Sequence, residues 1–302
     1  MKRKVSLMVF VFFYLSCIAI MDYPYLARIY NGRVQGKAVT EYEETIEKMD
    51  RNMWQEQLER AERYNCFLGS GTEERLEDPF GNTSQNHREY EELLNAGKEG
   101  IMGWIEIPQI QVTLPIYHGT SENALQKGAG HLEGSSLPVG GTDTHTVISA
   151  HRGLPSKKMF TDLDQLETGD LFYIHVFQKI LAYQITEIET VRPDETGPLA
   201  IRKGEDLATL VTCTPYGMNT HRMYVHGKRV PFEKITGEST GTIEMERWIR
   251  EYGWLCLSIV LIVWLLILII RFCGKKEDAV RARKRRRRKV KKCGKQNQSG
   301  KK

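Results

Sequence analysis

Two uncharged apolar runs constrain this chain most. Residues 5 to 21, VSLMVFVFFYLSCIAIM, follow Lys2, Arg3 and Lys4, and residues 254 to 270, WLCLSIVLIVWLLILII, precede Arg271. Each is near the lower limit for spanning a hydrocarbon core, about 17 to 20 residues. The fold that works in water must therefore lie between them. The first run also fits a cleaved signal peptide, with its basic start and apolar centre. The following MDYPYLARIY lacks a small-x-small cleavage site, so a retained anchor is the preferred reading.

Charge sets the expected topology. Residues 271 to 302 carry a net +14 and residues 2 to 4 add +3, so a chain of net +5 leaves −12 between them. Basic residues flanking membrane helices stay in the cytoplasm. Both termini are then cytoplasmic, and residues 22 to 253 face outward on the cell membrane. The run RARKRRRRKVKK has the composition of a nucleic-acid patch. Its place directly after a membrane helix favours contact with anionic lipid instead, which argues against nucleic-acid function.

Cysteine use agrees with an exported domain that has no disulfide framework. Of six cysteines, Cys17 and Cys256 lie in the apolar runs and Cys273 and Cys293 in the basic tail. Cys66 and Cys213 remain outside. Either they pair, or at least one is a free thiol kept for its chemistry. No group of residues has metal-ligand spacing, and no cofactor is implied.

Within the exported part the hydrophobic period changes once. Val39, Tyr42, Ile46, Met49, Met53 and Leu58 form one apolar stripe, predicting an amphipathic helix over residues 37 to 64, with Thr40 and Glu43 at capping-box spacing. Residues 66 to 86 are polar and aperiodic and read as a loop. A short helix is expected over residues 87 to 94, with Gly97 ending it. From Gly103 the runs GWIEI, VTLPIY, TVISA, LFYIHV, ILAYQITEIETV, ATLVT and MYVHGKRV predict strands, separated by turn residues and the short helical patches ENALQKG and MFTDLDQL. Many strands in so short a span favour a closed barrel over a βαβ sheet.

Three residues stand where such a barrel would expose chemistry. Cys213 follows the apolar run in ATLVTCTPYG, and His151 follows another in TVISAHRGLP. A thiol and an imidazole at two strand ends suit a nucleophile and its acid/base partner. The other seven histidines read as loop residues or members of alternating strands. Arg222 lies nine residues after Cys213, in NTHRMYVHGKR, and returns beside it if the two strands pair antiparallel. A guanidinium there can stabilise oxyanion charge.

Together SLPVGG, AHRGLP, TLVTCTPYG and NTHR, between about Gly103 and Val230, resemble the sortases. The resemblance implies an eight-stranded β-barrel with short helices, preceded by an N-terminal helical and lid region and flanked by two transmembrane helices. Cys213 would be the nucleophile, His151 the general acid/base and Arg222 the stabiliser of substrate and oxyanion. Asp78-Pro79-Phe80, before the barrel, resembles the lid motif of class C, pilin-polymerising sortases, in which the Asp reaches the catalytic Arg and the aromatic covers the Cys. A second, C-terminal membrane helix is also typical of that class.

The implied domains are a cytoplasmic start over 1 to 4, an anchor over 5 to 21 and a helical region over 22 to 100 with a lid loop at 66 to 88. A barrel over 101 to 235, a linker over 236 to 253, a helix over 254 to 270 and a basic cytoplasmic tail over 271 to 302 follow. The implied activity is cleavage of an LPXTG-like sorting signal on pilin precursors through a thioacyl enzyme, with a pilin lysine as acceptor. The alternative is a housekeeping sortase that attaches proteins to cell-wall peptidoglycan.

Overall fold

A computed structural model of the chain describes residues 2 to 70, 76 to 81, 88 to 96, 100 to 232, 253 to 269 and 271. The chain separates into two units, Met1–Tyr25 with Glu238–Lys302, and Leu26–Gly237. Of the linker expected over 236 to 253 and the tail expected over 271 to 302, residues 236 to 252 and 272 to 302 lie outside the described residues.

In the first unit, helix α1 begins at Lys2 and a second helix covers Gly253–Ile269. Among the described residues one helix, in its stretch Met8–Lys48, is long and apolar enough to cross a membrane. Gly253–Ile269 is apolar but shorter. At about 1.5 Å per residue it lies near the lower limit for a core of about 30 Å, so the described residues support one of the two expected spans.

α1 covers Lys2–Lys48, with Pro24 inside it, so the first apolar run and the start of the expected amphipathic helix fall in one element. The single helix expected over 37 to 64 is instead divided. Asp50 ends the shared run by N-capping helix α2 (Arg51–Gly69), its side chain accepting from Asn52 N at 2.7 Å. That local cap outcompetes continuation of the helix. Thr40 lies in mid-helix, its hydroxyl donating to Gly36 O at 3.1 Å, and makes no capping box. Of the predicted stripe, Val39, Tyr42, Ile46 and Leu58 are buried, Met49 packs against the same core, and Met53 is exposed because it falls beyond the break. Each fully buried apolar side chain contributes roughly 1.5–3 kcal/mol. Tyr42 also ties α1 to the barrel, donating to Met102 O at 3.2 Å and accepting from Phe177 N at 2.9 Å.

The loop expected from residue 66 starts later, since α2 continues through Gly69. Residues 71 to 75 and 82 to 87 of it lie outside the described residues. Helix α3 covers Arg88–Glu92, shorter than expected, and Gly97 lies outside the described residues.

The strands are β1 (Ile101–Ile107), β2 (Val112–His118), β3 (Ala129–His131), β4 (Thr144–Ser149), β5 (Leu171–Val176), β6 (Lys179–Val191), β7 (Asp206–Thr214) and β8 (His221–Val230), with helix α4 (Glu122–Lys127) before β3. They close as a barrel in the order β1-β2-β3-β4-β7-β8-β6-β5. Seven strands coincide with the predicted runs. β3 has too few residues and too small side chains to show a period. Its Gly130 is required by close approach: a Cβ there would meet Gly119 O at 2.4 Å. The interior is filled by alternating residues such as Ile105, Ile148, Phe172, Ile174, Leu210 and Val225. A smaller apolar cluster of Leu132, Val147, Val191, Leu199, Val211 and Tyr224 lies apart from that interior, drawn largely from the β4, β7, β8 and β6 wall.

Candidate active site

One rim of the barrel gathers the chemistry, and the pairing register places it there. β4 and β7 run parallel, with Ser149 opposite Val211. His151 and Cys213 each lie two residues further on, so the pleat brings both to the same end of adjacent strands, about 4.8 Å apart in strand spacing. Backbone bonds extend the match beyond the ladder. Ala150 N donates to Val211 O at 3.1 Å, and the buried Thr212 hydroxyl donates to Ala150 O at 2.8 Å. Phe160 N, donating to His151 O at 3.1 Å, fixes the turn after β4.

β7 and β8 are antiparallel, with Cys213 directly opposite Arg222. The conditional expectation about these strands is therefore met in the ladder itself. Both residues are buried, and burial pushes the Cys213 thiol above its ordinary pKa. The Arg222 guanidinium opposes that shift and the Asp78 carboxylate adds to it.

The structure brings the predicted Asp78-Pro79-Phe80 segment to the same rim. Arg222 Nε donates to Asp78 Oδ1 at 2.7 Å and its NH2 to Oδ2 at 2.5 Å, a two-pronged pair. Charge-assisted bonds of this geometry are among the stronger ones in proteins. Burial, the largest single influence, would lower the Arg222 pKa, but the hydrogen bonds to Asp78 together with the electrostatic pull of Cys213, Asp78 and Tyr224 hold the value above normal. The remaining prong, NH1, donates to Asn219 O and His221 O, each at 3.1 Å. Phe80 lies between the two other groups, its ring centroid 5.9 Å from the His151 ring and 5.2 Å from the Arg222 guanidinium carbon. Leu76 and Phe80 pack on the Leu132, Val147, Val211 and Tyr224 cluster, and Pro79 is buried. An apolar cluster on the wall thus receives an aromatic from a segment with little core of its own.

Two rim residues gave no signal in sequence. Arg152, the neighbour of His151, donates to Thr214 Oγ1 at 3.0 Å, to Thr161 O at 3.3 Å and to Asp164 Oδ2 at 2.5 Å. One guanidinium therefore links the residue after His151 to the residue after Cys213. Glu122, at the start of α4, places Oε2 3.5 Å from His151 Nε2. Only the barrel order reveals it, because α4 leads into β3, the other neighbour of β4.

A strand-end position alone does not select His151, contrary to expectation. β2 ends at His118, β3 ends at His131 and β8 opens at His221. What separates them is bonding. The ring nitrogens of His118 face Gly100 O and Leu93 O, and those of His131 face Tyr90 and Ser136, whereas His151 Nε2 is buried with no hydrogen bond among the described residues. Cys66 and Cys213 are both free, which resolves the open question of their pairing. Among the described residues no group of His, Cys, Asp and Glu converges to hold a metal ion.

Comparison with known proteins follows the same boundaries. A family model described as "Sortase domain" matches residues 105–230. Sortase A of Streptococcus agalactiae is 33% identical over 131 residues, which are 42% of this chain and 52% of that protein. Sortase D of Bacillus subtilis is 31% identical over 131 residues, 42% of this chain and 63% of that protein. The chain thus spans between about half and two thirds of the curated relatives it matches. Solved structures align further. The crystal structure of Streptococcus pneumoniae sortase C shares 46% identity, covering 65% of this chain and 97% of that one, with a TM-score of 0.61. Sortase C-1 from Actinomyces oris shares 40%, covering 60% of this chain and 99% of that one, with a TM-score of 0.57.

Proposed function

Since the chain belongs to the sortase family, with class C sortases as its structural neighbours, we propose that it is a membrane-anchored cysteine transpeptidase that polymerises pilins. The observation that carries this reading is the rim where His151 follows β4, Cys213 lies at the end of β7 and Arg222 at the start of β8, with Asp78 engaging Arg222.

Cys213 is the nucleophile. Its thiolate attacks the Thr carbonyl of an LPXTG-like sorting signal, Arg222 holds the developing oxyanion, and His151 protonates the departing Gly amine. The resulting thioacyl enzyme is resolved by a lysine amine of another pilin subunit. In the closed arrangement Phe80 covers the apolar cluster and Asp78 occupies the fork of Arg222, so segment 76 to 81 acts as a lid that the sorting signal displaces. The apolar helices hold the enzyme on the cell membrane where tethered precursors emerge. With both apolar runs crossing the membrane, both termini lie in the cytoplasm and the barrel outside, the orientation that the +14 tail and +3 start favour.

A housekeeping role, with cell-wall peptide as acceptor, is the second reading, favoured by the sortase A relatives that match the barrel. The Asp78–Arg222 lid pair weighs against it. A fluorogenic sorting peptide incubated with a lysine-bearing pilin domain separates the two. Ligated product supports pilin polymerisation, whereas product formed with a cell-wall peptide alone supports the housekeeping role.

A further inference from the structure

The order of strands at the rim gives a direction to the site. Glu122 (on α4, leading into β3), His151 (after β4), Cys213 (at the end of β7) and Arg222 (at the start of β8) follow one another around the barrel. Cys213 and Arg222 lie on one side of His151, under segment 76 to 81. Glu122 lies on the other side, and among the described residues its hydrogen-bond and ion-pair partners are Gln126 and His151, not that segment.

The Glu122 carboxylate is held rather than free to swing. Its Oε1 accepts from Gln126 Nε2 at 2.6 Å, and the Gln126 backbone carbonyl is in turn bonded by Lys157 Nζ. Ser121 caps the helix, its hydroxyl accepting from Ala124 N at 3.3 Å. Oε2 is left facing His151 Nε2 at 3.5 Å, longer than a hydrogen bond. The Glu122 side chain is 70% exposed and that of His151 20%. A carboxylate open to solvent thus touches the one acid/base group of the site from the face opposite the lid.

We propose that Glu122 is the docking group for the acceptor amine, receiving a primary ammonium and delivering it to His151. This rests on the transpeptidase reading above and names the entry side of its second substrate. The chemistry of the second half-reaction requires such a group. A lysine side chain arrives protonated, with an ordinary pKa near 10.4, and an ammonium has no lone pair with which to attack. Paired with Glu122, the ammonium stands next to neutral His151, which has just given its proton to the departing glycine. One ammonium proton passes through the carboxylate to solvent. The freed amine attacks the thioester carbonyl, forming the C–N bond. The second proton moves to His151 as the C–S bond breaks and Cys213 leaves as thiolate. The cycle closes with the thiolate and imidazolium that began it. Acyl donor and acceptor then approach from opposite sides of His151 and need not compete for one groove.

The test compares two nucleophiles on the same preformed thioester, in full chain purified in detergent. One is Nα-acetyl-lysine amide, a cation; the other is hydroxylamine, uncharged near neutral pH. Glu122→Gln keeps the shape and the bond to Gln126 but removes the charge. The ratio of lysine to hydroxylamine rates is expected to fall roughly fivefold, the upper end for an exposed ion pair, and Glu122→Asp is expected to restore part of it. An unchanged ratio overturns the proposal, as does an equal slowing of both nucleophiles, which would make Glu122 a mere support for His151. If no thioester forms on the unaltered protein, the transpeptidase reading fails and this inference with it.

Discussion

Removing the Asp78 carboxylate should expose Cys213 without unfolding the barrel. Among the described residues three contacts that can be weighed separately hold the closed segment: the two-pronged bond of Asp78 to Arg222 at 2.7 and 2.5 Å, the Phe80 ring 5.2 Å from the same guanidinium, and Leu76 with Phe80 on the apolar cluster. The Asp78 and Arg222 side chains are only 18% and 8% exposed, so solvent screens the pair weakly. Loss of charge-assisted bonds of this kind costs about 2 kcal/mol net, or roughly a 30-fold rise in the open population at about 1.4 kcal/mol per tenfold. A cation–π contact adds about 0.5–2 kcal/mol, and truncating a half-buried aromatic loses about 1–2 kcal/mol more. Asp78→Ala should therefore label Cys213 about 30-fold faster with a small thiol reagent, and Phe80→Ala between about tenfold and several hundredfold faster. Because both residues touch Arg222, the double variant should fall short of the product. Mass spectrometry of the Cys213 peptide separates its labelling from that of exposed Cys66. Asp78 also raises the thiol pKa, so rates are compared on the high-pH plateau, where every thiol is ionised and opening alone remains. Exposed Glu77 supplies the control, since Glu77→Ala should change little. Equal plateau rates in Asp78→Ala and the unaltered protein would show that the segment does not cover the thiol.

Arg222→Lys, tested in the Asp78→Ala background to remove any lid effect, should lower kcat/KM about 10- to 100-fold, because an ammonium lacks the planar fork; an unaltered rate would reduce Arg222 to a point charge. Stability should depend on pH through histidines buried neutral. Burial holds His131 and His145 at a pKa of about 4, below an unfolded value near 6.5, so the unfolded chain binds more protons and stability is lost as pH falls from about 6.5 toward 4. Each contributes about 3 kcal/mol to that loss, and urea midpoints should drop steeply over that window; equal midpoints at its two ends would contradict it. Protease treatment of intact cells should digest the barrel and spare an epitope at the C-terminus, whereas loss of that epitope from sealed cells would overturn the topology.

Much of this architecture was written in side-chain periods, and the exceptions share a cause. Seven strands showed because β-branched and aromatic residues alternate over five or more positions. β3 did not, since Ala129, Gly130 and His131 are defined by what packs against them. The break between α1 and α2 depends on one aspartate cap within a continuous apolar stripe, and stripes carry no information about caps. Cys213, His151 and Arg222 were legible because each adjoins a strong strand pattern. Glu122 and Arg152 were not, because their significance comes from which strand neighbours which, and from bonds that join segments about 30 to 60 residues apart. Cys213 opposite Arg222 needed only one assumed hairpin, whereas His151 beside Cys213 needed the β4–β7 parallel pairing, which no local pattern encodes.

The most direct test of the central reading is the mass of the protein after brief exposure to an LPXTG-type peptide. Asp78→Ala protein should gain the mass of the peptide's acyl part, through a hydroxylamine-sensitive thioester on Cys213, and lose it to a pilin lysine when the acceptor is added. Cys213→Ala should gain nothing while remaining folded. A stable adduct in the Cys213→Ala variant, or turnover of the peptide there at the unaltered rate, would contradict a thioacyl mechanism at this rim.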